Sequence, residues 1–134
     1  MSEIFDINLK EEGLQRILWA ERHMPILGEI RRRFEKEQPF KGLRISLAIH
    51  LEAKTACLVR ALRRGGAEVY VTGSNPQSTQ DSICAALVAD GCEVFAIHGA
   101  SFEKYHEFWK KTLSLKPHLV IDDGADLIRL LHGE

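Results

Sequence analysis

Three stretches of this chain carry the residue types from which proton transfer or polar recognition can be built. His50 follows the apolar run Ile45–Ile49 and is itself followed by Glu52, Lys54 and Thr55; Asn75, Ser78, Thr79, Gln80 and Asp81 crowd one segment; and Asp122-Asp123 begin the run Asp122-Asp123-Gly124-Ala125-Asp126. An imidazole, whose unperturbed pKa lies near neutrality, becomes a candidate general acid or base when a carboxylate shares its site. The uncharged residues of the second stretch supply donors and acceptors for a polar ligand, at a helix start where unpaired N–H groups favour anions. Each stretch also has a plainer reading. A single histidine belongs to a core or loop more often than to a catalyst. Ser78-x-x-Asp81 has the form of a capping box, Glu52 and Lys54 can pair with each other across one helical turn, and Asp126 can cap the last helix. Adjacent acids point to opposite sides of an extended chain, so at most one of Asp122 and Asp123 faces a site.

The elements that must position these residues follow from periodicity. Apolar residues at helical spacing from Leu9 to Phe34, divided at Pro25, predict two helices or one kinked helix. Arg31-Arg32-Arg33, interleaved with Glu29, Glu35 and Glu37, reads as a solvated helix face. The run ending at Ile49 is too short for a helix and predicts a buried parallel strand. A helix over Glu52–Arg64 stops at Gly65-Gly66. Strands over 67–72, 92–97 and 118–121 then alternate with helices over 78–90 and 101–115, the second N-capped by Ser101, and a short amphipathic turn reaches His132. Alternation of this kind implies right-handed crossovers. The expected fold is α/β: a three-layer Rossmann-like or flavodoxin-like domain with a parallel sheet of four strands or slightly more, and an N-terminal helical extension. Residues 1–40 form the helical segment and residues 41–134 the α/β domain. His50, the segment from Gly73 to Asp81, His98 and the segment from Asp122 to Asp126 all fall at strand carboxyl ends, where open α/β sheets bind ligands.

Composition narrows the function. At 134 residues and 45% hydrophobic, the chain suits one domain with an ordinary core. A formal net charge of −1 with interspersed signs offers no footprint for nucleic acid or an anionic membrane. Cys57, Cys84 and Cys92 are odd in number, lack metal-ligand spacing and lie in apolar patterns, so reduced buried thiols and a cytoplasmic location are expected. The first ten residues lack a signal-peptide pattern, and no apolar run is long enough to span a membrane. The six histidines show no zinc or iron spacing. Tyr105, Phe108 and Trp109 read as core or as a partner surface. No G-x-G-x-x-G follows a strand, so no cofactor site is expected on this chain.

Taken together, His50-Leu51-Glu52-Ala53-Lys54-Thr55-Ala56, Asn75-Pro76-Gln77-Ser78-Thr79-Gln80-Asp81 and Asp122-Asp123-Gly124-Ala125-Asp126-Leu127 resemble, in order and spacing, the substrate-binding domain of the S-adenosylhomocysteine hydrolase (adenosylhomocysteinase) family. Trp19-Ala20-Glu21-Arg22-His23-Met24-Pro25 is similar to that family's N-terminal helix motif, and the likeness runs from about Trp19 to His132. It implies reversible thioether cleavage of S-adenosylhomocysteine to adenosine and homocysteine, a step of one-carbon (methyl-cycle) metabolism that uses tightly bound NAD to oxidise the ribose 3′-hydroxyl. It also implies proton transfer by His50 and Asp123 and purine contacts from Glu52 and Lys54. Thr55, Asn75, Ser78, Thr79 and Gln80 would line the substrate site.

Two departures carry consequences. The family pattern continues past Glu134 into further site residues and an NAD domain, so the 134-residue chain by itself is expected not to turn over substrate. Many family members also carry threonine and glutamate where this chain has Glu52 and Lys54, a Glu/Lys form resembling an archaeal and thermophilic-bacterial branch. A carboxylate only accepts and an ammonium only donates, so Lys54 at the purine 6-position and Glu52 at N1 would suit hypoxanthine better than adenine. One buried group left unpaired sets that preference at about 1–3 kcal/mol. Three functions follow for test: a substrate-binding domain that works with an NAD-domain partner, a free-standing nucleoside or nucleosyl-homocysteine binder, and a non-catalytic interaction module that associates with a partner or with itself.

Overall fold

The computed structural model describes residues 1–133. Five strands form one parallel sheet: β1 (Glu3–Ile4), β2 (Arg44–Ile49), β3 (Glu68–Gly73), β4 (Glu93–Ala96) and β5 (Leu119–Asp122), in the order β1-β4-β3-β2-β5. The helices are α1 (Lys10–Arg22), α2 (Pro25–Glu37), α3 (Ala53–Arg64), α4 (Asp81–Ala89), α5 (Phe102–Leu113) and α6 (Asp126–Leu131), with a 3-10 turn at Ile7–Leu9 before α1. The expected three-layer α/β architecture is the one observed. Pro25 divides the N-terminal helical run as its sequence requires, occupying the first turn of α2, where its missing N–H has no partner to lose.

β2 is the centre of the design. Its alternate residues serve two cores, because successive side chains of a strand point to opposite faces. Ile45, Leu47 and Ile49 join Ile17 and Ala20 of α1, Val59 of α3 and Ile83 and Leu87 of α4. Ala48 turns to the other face, among Tyr105, Phe108 and Trp109 of α5 and Leu127 of α6. Full burial of each large apolar side chain contributes about 1.5–3 kcal/mol. Ser46 is polar at a fully buried position and is accommodated because its hydroxyl donates to Thr112 O at 2.7 Å.

The N-terminal segment is woven into this scaffold. β1 pairs with β4, Glu3 opposite Phe95 and Ile4 opposite Ala96, and forms a fifth strand that two residues of sequence could not announce. α1 packs on α4 so closely at Gly13 that a Cβ there would lie 1.8 Å from Ser82 O. A buried ion-pair network ties α1, α2 and α3 to the end of α4. Arg60, 7% exposed, meets Glu21 at 2.6 Å and Asp90 at 3.6 Å; Arg31 meets Glu21 at 2.9 Å; and Arg64 meets Asp90 at 2.8 Å. Arg31 therefore leaves the solvated face expected of the arginine run, whereas Arg33 stays on it, paired with Glu37 at 3.5 Å.

Candidate functional site

From β2 the chain steps to β3 and β4 on one side, then crosses back to place β5 on the other. The strand order thus reverses between β2 and β5, and the crevice outside the carboxyl ends of such a pair is where doubly wound sheets bind ligands. His50 follows β2 directly and Asp123 follows β5 directly. The Asp123 N–H donates to Ala48 O at 3.0 Å, extending the ladder by one step and fixing the second acid beside the end of β2. Both side chains are exposed.

Local hydrogen bonds explain why the chain takes this shape. The His50 carbonyl accepts from Glu52 N at 3.0 Å and from the Thr55 hydroxyl, which closes the turn out of β2. Glu52 then caps α3: its Oε1 accepts from Thr55 N at 2.7 Å while Thr55 Oγ1 accepts from Glu52 N at 3.3 Å. Glu52 is thus held by its own helix, and no ion pair joins it to Lys54 among the described residues. Lys54 is exposed on the first turn of α3.

The loop after β3 departs from its sequence reading. Ser78-x-x-Asp81 does not form a capping box: α4 begins at Asp81 with Gln80 at its N-cap and no side-chain cap. The hydroxyls have other partners. Ser78 Oγ lies 2.6 Å from His50 Nδ1, Thr79 Oγ1 lies 2.7 Å from the Tyr105 hydroxyl, and both donate to Asn75 O, at 3.2 and 3.0 Å. Asn75 Oδ1 accepts from Gln77 N at 2.8 Å, an Asx turn that starts the loop. Asp81 Oδ1 accepts from His98 N at 2.9 Å, which ties the start of α4 to the end of β4. With its Nδ1 engaged by Ser78, His50 keeps Nε2 as the ring atom available to a ligand.

At β5 the two acids divide their work as alternation requires. Asp122 Oδ2 accepts from Ile128 N at 3.0 Å and so supports α6, while Asp123 is left at the crevice. Asp126 does not cap α6, whose N-cap is Ala125 at φ 64°. Burial first, then repulsion from Asp122, holds the Asp126 carboxyl above the usual range. Asp122 Oδ1 and Ser74 Oγ are buried without a hydrogen-bond partner among the described residues, at the ends of the strands that flank β2.

Beside this crevice, an open cleft of about 580 Å³ is lined by Glu52 and by Gln77 to Ser82, with Glu12 and Arg16 of α1 opposite. Arg16 Nη1 donates to Gln80 Oε1 at 3.1 Å, so the N-terminal helix contributes a wall that residue types alone did not reveal. The structure therefore brings Glu52, Ser78, Thr79 and Gln80 to one cleft, Ser78 to His50 and Asp123 to the neighbouring strand end. Thr55 is spent on the turn. Residues missed in the sequence are Arg16, Ser74 and Tyr105. Among the described residues no cluster of three or more histidine, cysteine or acidic side chains could hold a metal, and no helix is long and apolar enough to cross a membrane. Nor do the helix N-termini at this rim fit a dinucleotide pyrophosphate, which needs an open glycine turn. α3 is closed by Glu52, α5 by Ser101, and α4 and α6 carry Asp81 and Asp126 in their first turns.

Fold and rim define an α/β domain that presents a polar rim at a strand switch point. The sequence comparisons place it more narrowly: residues 2–134 match the family model described as S-adenosyl-L-homocysteine hydrolase, and the chain belongs to that family. It is 54% identical over 132 residues to the S-inosyl-L-homocysteine hydrolase of Methanocaldococcus jannaschii, a match covering 98% of this chain and 32% of that protein. It is 51% identical over 129 residues to the adenosylhomocysteinase of Pyrococcus abyssi, covering 96% and 31%, and 52% identical over 133 residues to that of Aquifex aeolicus, covering 98% and 32%. The chain spans about a third of the length of these curated relatives.

Proposed function

We propose that this chain supplies the nucleoside-binding rim of a nucleosyl-homocysteine hydrolase, with His50 and Asp123 as its proton-transfer pair. The observation that carries the reading is their position at the ends of β2 and β5, on the two sides of the crevice where the strand order reverses. Ser78 holds the imidazole through Nδ1 and leaves Nε2 to exchange a proton with the substrate. NAD, which the family chemistry requires to oxidise the ribose, would be held by the family's remaining length. A cytoplasmic setting suits the three buried free thiols.

Glu52 and Lys54 are the proposed readers of the purine. Glu52 uses one carboxylate oxygen on Thr55 N and can still accept from a ring N1–H with the other; Lys54 donates to a 6-carbonyl. Both groups match hypoxanthine, and the relatives' names include both inosyl and adenosyl substrates. Calorimetric titration of the chain with adenosine, inosine and S-adenosylhomocysteine tests the reading. Saturable heat lost in a His50→Ala, Asp123→Ala double variant is expected, with inosine about 5–150-fold tighter than adenosine from the 1–3 kcal/mol cost of one unpaired group. Equal binding of the two nucleosides refutes the purine assignment. Absence of heat at protein concentrations adequate for millimolar affinity refutes an autonomous binding rim and favours an interaction module.

A further inference from the structure

Resting on the rim reading above, we propose that Tyr105 is a positioning residue of the site: its buried hydroxyl, acting through Thr79, fixes the loop from Asn75 to Gln80 so that Ser78 meets His50. Tyr105 is 1% exposed and lies on α5, on the opposite face of the sheet from α3 and α4. Its neighbour Phe108 fills the same core without a hydroxyl, so packing alone does not require one. The phenol oxygen lies 2.7 Å from Thr79 Oγ1. Thr79 Oγ1 also lies 3.0 Å from Asn75 O, which can only accept; with its single hydrogen directed there, Thr79 accepts from the Tyr105 hydroxyl. Burial pushes the phenol up to about 12, which keeps it a donor throughout the neutral range.

The relay ends on a shared acceptor. Asn75 O takes the hydroxyl of Thr79 at 3.0 Å and both the N–H and the hydroxyl of Ser78 at 3.2 Å, and Ser78 Oγ then meets His50 Nδ1 at 2.6 Å. α5 grips the loop's root as well. Trp109 Nε1 reaches Gly73 O at 3.5 Å, and a Cβ on Gly73 would stand 2.7 Å from both Thr79 Oγ1 and the Tyr105 hydroxyl. Gly73 therefore vacates the space through which the two hydroxyls meet. Of the connections described at this loop, the Tyr105–Thr79 bond is the one that joins its hydroxyl cluster to the helix layer behind the sheet.

The test uses residues 1–134 with nitrogen-15-labelled histidine, comparing the His50 ring signals in wild type, Ser78→Ala, Tyr105→Phe, Thr79→Val and Thr79→Ser. Tyr105→Phe and Thr79→Val are expected to move the His50 Nδ1 signal toward its position in Ser78→Ala, while Thr79→Ser, which retains the hydroxyl, stays near wild type. A core tyrosine without this role would change the melting temperature and leave His50 alone. The proposal is overturned if Tyr105→Phe keeps the wild-type His50 signals, or if Ser78→Ala fails to move them. Should Tyr105→Phe not fold, the contrast between Thr79→Val and Thr79→Ser decides between the two roles. In parallel, nucleoside affinity is expected to fall severalfold in Tyr105→Phe. A wild-type chain that binds no nucleoside refutes an autonomous binding rim, whereas the His50 signals still decide the role of Tyr105.

Discussion

Replacing Gly13 by alanine tests whether the N-terminal helix is seated as described. An added Cβ would lie 1.8 Å from Ser82 O and 2.5 Å from Ser82 C, both backbone atoms of α4 that cannot rotate away. Restoring an ordinary contact of 3.4 Å requires α1 and α4 to separate locally by roughly 1.6 Å. Overpacking of this severity costs about 3 kcal/mol, against about 1 kcal/mol gained because alanine is the better helix former. The net loss of about 2 kcal/mol corresponds to a fall of about 8 °C in melting temperature for a domain of this size. Gly28→Ala is the matched control. It lies inside α2, where an added Cβ would meet nothing closer than Arg32 Nη1 at 3.8 Å, so the same substitution is expected to raise the melting temperature by about 2–4 °C. Scanning calorimetry of the two variants reads opposite signs if α1 is packed on α4. A Gly13→Ala chain that melts at or above wild type would refute that packing, and with it the cleft wall formed by Glu12 and Arg16.

Removing Arg60 leaves Glu21 still paired with Arg31 and Asp90 with Arg64, so Arg60→Ala is expected to lose only the buried charge-assisted hydrogen bond to Glu21, about 1.5–3 kcal/mol in denaturant unfolding, whereas Arg33→Ala, whose pair with Glu37 is exposed, changes stability by less than about 0.5 kcal/mol. Hydrogen bonds from Lys104 and then Lys111 hold the Glu3 carboxyl below its ordinary 4.5. A depressed folded pKa gives stability that is complete above the unfolded value and is lost as pH falls through the folded one. Below about pH 4.5 wild type should therefore lose stability more steeply than Glu3→Gln, as followed by melting temperature across pH. Burial pushes the thiols up to about 11 for Cys57 and about 12 for Cys84 and Cys92, so iodoacetamide at pH 8 should label the native chain slowly and all three cysteines on unfolding, counted by mass spectrometry.

What the sequence disclosed about this molecule was whatever repeats along the chain. The run Ile45–Ile49 is readable as a strand because both its faces are buried, and the alternation of strands and helices predicts a parallel sheet with His50 and Asp123 on one rim. Two residues cannot show a period, so β1 was invisible. Arg60 sits in an amphipathic helix pattern and its burial depends on Glu21, 39 residues away, and on Asp90. Gly13 looks like an ordinary helix interruption until α4 is laid against it.

The capping box at Ser78 shows how a sound local argument is overtaken. Ser78 and Asp81 have the correct residue types at the correct spacing, and a capping bond would contribute about 1 kcal/mol. Competing partners lie far along the chain: His50 takes the Ser78 hydroxyl across 28 residues, Tyr105 takes Thr79 across 26, and the His98 N–H takes Asp81 across 17. Together these leave α4 to start at Asp81 without a side-chain cap. The polar stretch gives up local helix stability and gains a fixed loop at the crevice. Where sequence reasoning from neighbours fails in this chain, the hydrogen bonds that defeat it converge on the candidate site, as expected when a locally favoured structure is sacrificed to hold functional groups in place.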